Sequence, residues 1–538
     1  MSNPLPNENA TQRSGGTPGT AGRPTACRRR WLLACLAGLG LVALGLTIEH
    51  VRGAASLRAW REAMRARGEP LTLAELLPPL REGRTPLSRS AIAALLRLDD
   101  LEPLADSSYG PGLLYLAPGQ VRSVWAELDT EQTPWGTNTW KQLEEILAQV
   151  SEPLGVLREH LANRTWTAAR EDPSKPEPHT SMTFRLISAA VALRAAVQVE
   201  LHRQQLDAAL ENLLALVALP EDGLAGRGAV GHVGFLALNH IAVPTTWQAL
   251  QAAGWTDARL AAVQTAWERK RFLEETALCF AIERAMTSAG TFDKLRADLG
   301  TALRSAPNLI LHRSMTAPSA SLLSTSDRGR WQRIGSRGVE LAAYPVGVIW
   351  RMAWLDQDEL YYCRSLQEGI ERVRLVAAER SVAAAEAQAK RGSQSIAPFQ
   401  SAAQSLEESG AALDRVRYCA SQALLPKLES LVGAACELET LRSMIVAAVA
   451  LKRHELRYGG LPADLAALVP EFLAAVPVDY QDGKPMRYRA RPDGTYLLYS
   501  VGDDGQDDGG VAEAAVPSSE PPTLTGGRDW VWPVAAAR

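Results

Sequence analysis

Residues 31–48 read WLLACLAGLGLVALGLTI, a run of 18 residues with no charged side chain and no proline. A helix of this length rises about 27 Å, close to the thickness of the hydrocarbon core of a bilayer. No polar residue interrupts the run in the way expected for the core helix of a soluble protein. The segment therefore predicts a single transmembrane helix near the amino terminus.

The flanking charges predict the orientation of this helix. Arg28, Arg29 and Arg30 directly precede it, and residues 1–30 contain five Arg and one Glu. Because positive residues are retained in the cytoplasm, the amino terminus is predicted to be cytoplasmic and residues 49–538 extracytoplasmic. The tail 1–30 is rich in Pro, Gly, Thr, Asn and Ser, a composition typical of disorder. The sequence thus predicts a single-pass protein of the inner (cytoplasmic) membrane.

A cleaved signal peptide is the main alternative for this segment, since Gly53-Ala54-Ala55-Ser56 offers small residues after the apolar run. A leader of 30 residues before the apolar segment is long for a signal peptide, and 18 apolar residues exceed the usual length of its hydrophobic region. An uncleaved signal anchor is the favoured interpretation.

The composition excludes several classes of protein. The chain of 538 residues has 46% hydrophobic and 22% charged residues, which excludes a wholly disordered or collagen-like chain. A net charge of −3 gives no basic surface for duplex nucleic acid, so no nucleic-acid partner is predicted. The length allows two to four domains.

Residues 49–440 are predicted to form a large helical extracytoplasmic region. Good helix formers dominate 181–218, and Thr256 or Asp257 can cap a helix in which Leu260, Val263 and Trp267 recur at helical spacing. A further apolar stripe lies between 355 and 391. The fold class is therefore mainly α, with a small α+β ending.

Motifs that carry chemistry are scarce in this region, and no catalytic or cofactor-binding residue is assigned. Residues 226–231 match G-x-G-x-x-G, but the preceding residues are helical in character and Gln251 stands where a ribose-binding acid is needed. We interpret this motif as a connection between helices. His232 and His240 lack the H-E-x-x-H arrangement of a zinc protease, and the charged residues around Glu283 are typical of a solvated helix face.

The cysteines do not predict a metal site, because no C-x-x-C pair occurs. Outside the cytoplasm Cys419 and Cys436 could form a disulfide, and small buried thiols on helix faces are the alternative.

Residues 441–538 are predicted to form a small α+β module. A helix ends at Gly459-Gly460, a short second helix follows near Leu465, and two strands at 486–490 and 495–500 flank Asp493-Gly494. An Asp-Gly dipeptide between aromatic-rich runs is a strong hairpin signal. An acidic, glycine-rich loop then follows at 501–510.

This order of elements resembles the globular part of the major pseudopilin of type II secretion systems. The matching text is 479–488, then Tyr499-Ser500-Val501-Gly502-Asp503-Asp504-Gly505, and finally Asp529 near Trp530 and Trp532. The resemblance covers about the last hundred residues. The pseudopilin leader and the start of its membrane helix are absent here, and the apolar segment lies some 400 residues from the module, so a filament subunit is not predicted.

The resemblance implies calcium binding, because that family binds Ca²⁺ in this loop. By that analogy Asp504, Asp507 and Asp529 are the ligands, with Asp503 and Asp508 close by. Hard cations take six to eight oxygen ligands, which carboxylates and free carbonyls supply. The loop is not an EF-hand, because Ala515 stands at the position of the bidentate glutamate. A solvated acidic turn is the alternative.

Together these features predict a membrane-anchored bacterial envelope protein of structural or interaction type, linked to secretion or pilus-like machinery, whose partners are the membrane and envelope or secretion proteins. An extracytoplasmic hydrolase, with an unrecognised site in the helical region, is the alternative.

Overall fold

The computed structural model of the chain describes the greater part of its residues. The described positions are 25–76, 93–95, 97–98, 113–123, 125, 139–163, 179–219, 228–301, 345–391, 412–425, 428–514 and 523–535. Most of the predicted tail, residues 1–24, lies outside them.

Helix α1 (Thr25–Ala66) is one continuous helix of 42 residues. It begins six residues before the predicted apolar segment and continues well past it. Among the described helices it alone is long and apolar enough to cross a membrane, and none of its apolar window is buried. The side chains of Leu33, Leu41 and Ile48 are 61%, 71% and 57% exposed. A buried core helix is therefore excluded for this segment.

The rest of the described chain is mostly helical, as the sequence predicts. The helices after α1 are α2 (Leu73–Leu76), α3 (Trp140–Gln149), α4 (Ser151–Asn163), α5 (His179–His202), α6 (Leu206–Ala218), α7 (Ala229–Leu250), α8 (Asp257–Glu268), α9 (Phe272–Thr287), α10 (Asp293–Ala297), α11 (Leu355–Glu379), α12 (Val382–Arg391), α13 (Ala412–Arg417), α14 (Cys419–Leu424) and α15 (Leu428–Tyr458).

Local sequence signals explain where several of these helices begin. The Thr139 hydroxyl accepts from the Gln142 N–H while the Gln142 side chain accepts from the Thr139 N–H, so α3 begins with a capping box. Thr256 caps α8 by accepting from the Arg259 N–H, which confirms the predicted cap.

Two single π-helical turns interrupt the helices on either side of α10. The first, Ser288–Phe292, continues α9, and the second, Trp350–Trp354, leads directly into α11. Such turns are rare in proteins and are frequent at functional sites.

A single large hydrophobic core extends through the described body. It includes the fully buried side chains of Trp247, Trp267 and Trp350, and it continues along α15 to Leu498 and Trp532 near the carboxy terminus. Helix α15 packs on α7, α8 and α9. The predicted module boundary at 441 therefore falls inside a helix that begins at Leu428 and belongs to the main core.

The strands of the described residues form two three-stranded sheets. Strands β3 (Arg487–Ala490), β4 (Tyr496–Ser500) and β5 (Trp530–Val531) form an antiparallel sheet in that order. Strands β1 (Leu114–Ala117), β2 (Gln120–Arg122) and β6 (Val534–Ala535) form the other, in which β6 runs parallel to β2. Strand β6, near the carboxy terminus, therefore pairs with β2 from the first quarter of the chain. Next to it the Trp247 indole on α7 donates to the Pro533 carbonyl at 2.9 Å.

Candidate functional site

The second half of α1 lies along α11, and the two helices run in the same direction. Glu49 contacts Gln357 near their starts, where the Gln357 side chain donates to the Glu49 carbonyl at 3.0 Å and to its carboxylate at 2.8 Å. Near their ends the Arg67 guanidinium contacts Glu371 at 3.5 Å. We call this surface, from Glu49 to Arg67 on one side and Gln357 to Glu371 on the other, the anchor seam.

Close backbone approach at Gly53 holds the seam together. A Cβ at this position would lie 2.9 Å from the Gln357 Cγ and 3.3 Å from the Gln357 nitrogen. Any side chain there would therefore require Gln357 or the adjoining backbone of α11 to shift.

The centre of the seam is the fully buried carboxylate of Glu359. It accepts from the guanidinium of Arg61 on α1, from the guanidinium of Arg296 on α10 and from the hydroxyl of Ser288 in the first π turn. The Arg61 and Arg296 side chains are 32% and 37% exposed. One buried acid thus joins three separate segments, with both arginines open to water on one side.

Arg296 also binds a second acid in this cluster. Its guanidinium donates to the Asp356 carboxylate at 2.8 Å and 3.1 Å. Burial lowers the pKa of Arg296, but hydrogen bonds and charges from Asp356 and Glu359 raise it above its ordinary value. The guanidinium therefore stays charged throughout the pH range of folded proteins.

Asp358, next to Glu359, has a different set of partners in the core. It is fully buried, and its carboxylate accepts from the Trp350 indole, from the Ala420 N–H and from the Ser421 N–H, each at 2.9 Å. Burial raises the pKa of Asp358 to about 6, although these hydrogen bonds oppose the rise. Asp358 thereby fixes the second π turn and the start of α14 to α11.

Further contacts continue the seam beyond Arg61. The buried Arg284 guanidinium donates to the Pro70 carbonyl at 2.6 Å and lies 6.0 Å from the centre of the Trp60 ring. Arg374 binds Glu69 through two hydrogen bonds. The chain is therefore held to the body from Glu49 to Pro70, without a free linker between the apolar segment and the body.

The structure places the predicted calcium ligands around one loop, but it uses their oxygens for other bonds. The buried Asp529 carboxylate accepts from the N–H groups of Asp508, Gly510 and Val511 at 3.4, 2.7 and 3.0 Å. Asp504 accepts from the Gln506 N–H at 2.9 Å within its own turn.

Three acids of this set remain, and among them Asp508 is exposed. Asp507 accepts from the Tyr499 hydroxyl at 2.9 Å and contacts Arg487 at 3.5 Å, while burial and the charge of Asp504 raise the pKa of Asp503. In the described residues no group of three or more His, Cys, Asp or Glu side chains is placed to hold a metal ion. Calcium binding therefore stays a prediction of the pseudopilin resemblance.

A different aspartate organises the carboxy-terminal region. The Asp479 carboxylate is fully buried and accepts from the Gln481 N–H at 3.0 Å, the Ser500 hydroxyl at 2.8 Å, the Val501 N–H at 2.9 Å and Arg487 at 2.7 Å. Burial raises its pKa, and these hydrogen bonds oppose the rise. Asp479 thus ties the turn before β3 to the end of β4, within the two stretches that carry the pseudopilin resemblance.

The described part of the glycine-rich motif lies between helices, at the start of α7. The Glu283 carboxylate accepts from the Ala229 N–H at 2.8 Å, and a Cβ on Gly228 would lie 2.6 Å from that carboxylate. An acid therefore occupies the helix terminus where a dinucleotide phosphate would bind. The His232 ring contacts the Thr276 hydroxyl at 2.8 Å, and burial lowers the pKa of His232 to about 4.

Cys419 and Cys436, which the sequence leaves open to disulfide formation, are both buried free thiols.

The centre of the anchor seam is not among the residues predicted from the sequence. Asp356, Asp358 and Glu359 stand together in LDQDEL at the start of an amphipathic helix, where acids commonly face solvent. One sequence signal for burial was present, because Glu359 lies on the same side of α11 as the apolar residues Leu366 and Ile370. Its partners, Arg61 and Arg296, are 298 and 63 residues away in the sequence, and no local pattern connects them.

A scan against protein-family models, a search of curated proteins and a search of solved structures find no match for this chain.

Proposed function

We propose that this chain is a membrane-anchored envelope protein of structural or interaction type, with a cytoplasmic amino terminus and an extracytoplasmic body. The observation that carries the proposal is the continuity of α1. Its first half is apolar and exposed, and its second half is bound to the body through the anchor seam, without a break between the two. One rigid helix therefore passes from the membrane into the protein.

The seam supports a mechanical role for this connection. A protein that needs only membrane attachment can use a flexible linker, which leaves its domain free to rotate. Here Glu359, Arg61 and the close approach at Gly53 fix the body relative to the helix axis. The body would thus present a constant face to the membrane and another to its partners, as a scaffold requires.

The same contacts favour an uncleaved anchor over a cleaved signal peptide. The small residues at 53–56 lie inside α1 rather than in an extended segment, and Gly53 is packed against Gln357. Cleavage there would remove Glu49 and its bonds to the body.

We propose secretion or pilus-like machinery as the setting, on the pseudopilin resemblance. The hydrogen bonds of Asp479 support this proposal, because they join the two matching stretches, 479–488 and 499–505, into one unit. In this setting the carboxy-terminal region is the surface for envelope or secretion partners.

The test is a pair of reporters fused after residue 538. Alkaline phosphatase, which is active only outside the cytoplasm, should be active, and a fluorescent protein that matures only in the cytoplasm should be dark. A control chain with Arg28, Arg29 and Arg30 changed to Glu should weaken this asymmetry, because the positive residues set the orientation. Cytoplasmic activity of the unmodified fusion would contradict the proposal.

A further inference from the structure

A short apolar helix lies beside α1 at the level where the predicted span ends. Residues 345–349 are helical and continue through the π turn Trp350–Trp354 into α11. This π turn packs against α1. We call residues 345–354 the side helix.

The level of the side helix follows from the anchor seam. Because α1 and α11 run in the same direction and Gln357 binds Glu49, residues before Gln357 lie beside α1 residues before Glu49. Met352 and Ile349 precede Gln357 along this helix, and they therefore lie toward the span. Leu46, in the last turn of the span, is partly buried and packs against the core. The side helix therefore extends alongside the end of the apolar segment.

The exposed face of the side helix is apolar. Pro345, Ile349 and Met352 are its exposed residues, and Met352 is 55% exposed. Its single charged residue, Arg351, is turned into the body, where it donates to the carbonyls of Leu295 at 3.0 Å and Arg296 at 2.7 Å. No charge thus remains on the face that points outward.

Acidic residues begin at the same level on both helices. On α1 the first charge after the span is Glu49, and on the continuous helix 345–379 the first acid is Asp356. Between them the Arg417 guanidinium contacts the Glu49 carboxylate at 3.8 Å and lies 5.5 Å from the centre of the Trp354 ring.

We propose that the side helix lies in the interface of the membrane that α1 crosses, with Ile349 and Met352 in contact with lipid. This inference rests on the proposed membrane span. It adds a second contact beside the span, and two contacts would fix the tilt of the body as well as its attachment. Amphipathic segments bind this region by burying their apolar face about 5–10 Å into the headgroup boundary.

The test is a fluorescent thiol probe on single cysteines in the full chain, reconstituted in lipid vesicles. Cys27 and Cys35 are replaced by Ser, and the four other cysteines are buried. Probes are placed by Ile349→Cys and Met352→Cys, with Leu41→Cys as the reference within the span. Leu456→Cys is the matched control, because Leu456 is 50% exposed near the far end of α15.

Lipids that carry a nitroxide quencher should reduce fluorescence at 349, 352 and 41, and dissolved iodide should quench only the probe at 456. If 349 and 352 respond as 456 does, the side helix lies in water and the inference is overturned. If the probes at 349 and 352 are protected from both quenchers, another protein surface, such as that of a second copy, covers the side helix. That result would also overturn the inference. If the probe at 41 is not quenched by lipid either, the proposed span itself is wrong.

Discussion

Replacing the Glu359 carboxylate with an amide should loosen the anchor seam without changing the size of the side chain. In Glu359→Gln the negative charge that Arg61 and Arg296 share is lost, and an NH₂ group can face their N–H donors. Asp356 keeps Arg296 partly neutralised. Arg61 also donates to the Ser288 hydroxyl at 3.2 Å, but Glu359 is its one acidic partner among the described residues, so Arg61 loses most.

The expected cost follows from burial. Removing one partner of a buried ion pair costs about 3–5 kcal/mol when the other charge is left uncompensated. Here the two arginines are 32% and 37% exposed, so water replaces part of the lost interaction. We therefore expect the free energy of unfolding, or of local opening of the seam, to fall by about 2–3 kcal/mol.

Amide hydrogen exchange of the purified full chain measures this loss where it occurs. A loss of about 2 kcal/mol corresponds to about 30-fold faster exchange through opening. This change should appear in residues 51–66 of α1 and not in 31–48. Glu379→Gln is the matched control, since Glu379 is an exposed acid on the same helix. Equal exchange in the two variants, or no change in 51–66, would refute the role given to Glu359.

Four further results are expected. Asp479→Asn should lower the free energy of unfolding by about 2–4 kcal/mol, because it disturbs a fully buried carboxylate that has four donors. The control Asp493→Asn, at an exposed position, should change this free energy little. Chemical denaturation of the two variants measures the difference. A fragment 441–538 should lack a cooperative thermal transition, since its helix packs on earlier helices; cooperative melting would make it an independent domain. The pKa of Asp358 is raised to about 6 in the folded chain, whereas the ordinary value is 3.8. Between these two pH values the folded chain keeps a proton that the unfolded chain has lost. The contribution of Asp358 to stability therefore falls as the pH rises from about 4 to about 6. Asp358→Asn should flatten that part of the stability profile, and parallel profiles would contradict the assignment. The pseudopilin resemblance predicts that millimolar Ca²⁺, but not Mg²⁺, raises the melting temperature above its value in chelator; equal melting temperatures would leave the acidic loop as a turn that its own hydrogen bonds hold.

The features that sequence predicts well here are those set by neighbouring residues. The apolar run at 31–48 needs no partner to be recognised, and the N-cap at Thr256 depends on the Arg259 N–H three residues away. The hairpin around Gly494 is equally local, because a positive φ of 82° at that glycine suits the turn.

The features that sequence does not predict depend on distant residues. The seam requires that α1 meet α11 some 300 positions later, and amphipathicity alone does not identify a partner helix. Likewise, Asp529 is a calcium ligand only by the pseudopilin resemblance, and no local pattern predicts that its carboxylate accepts from three backbone N–H groups of the acidic loop. A carboxylate supplies the same oxygens to a cation and to N–H donors, so only the fold distinguishes the two uses.

The central claim is that α1 is an uncleaved membrane anchor built into the body. Its most direct test is the intact mass of the protein that remains in membranes after an alkaline carbonate wash, which removes peripheral proteins. We predict a membrane-retained chain that still contains residues 31–48. Recovery in the soluble fraction, or a mature chain that begins near Ser56, would contradict the claim.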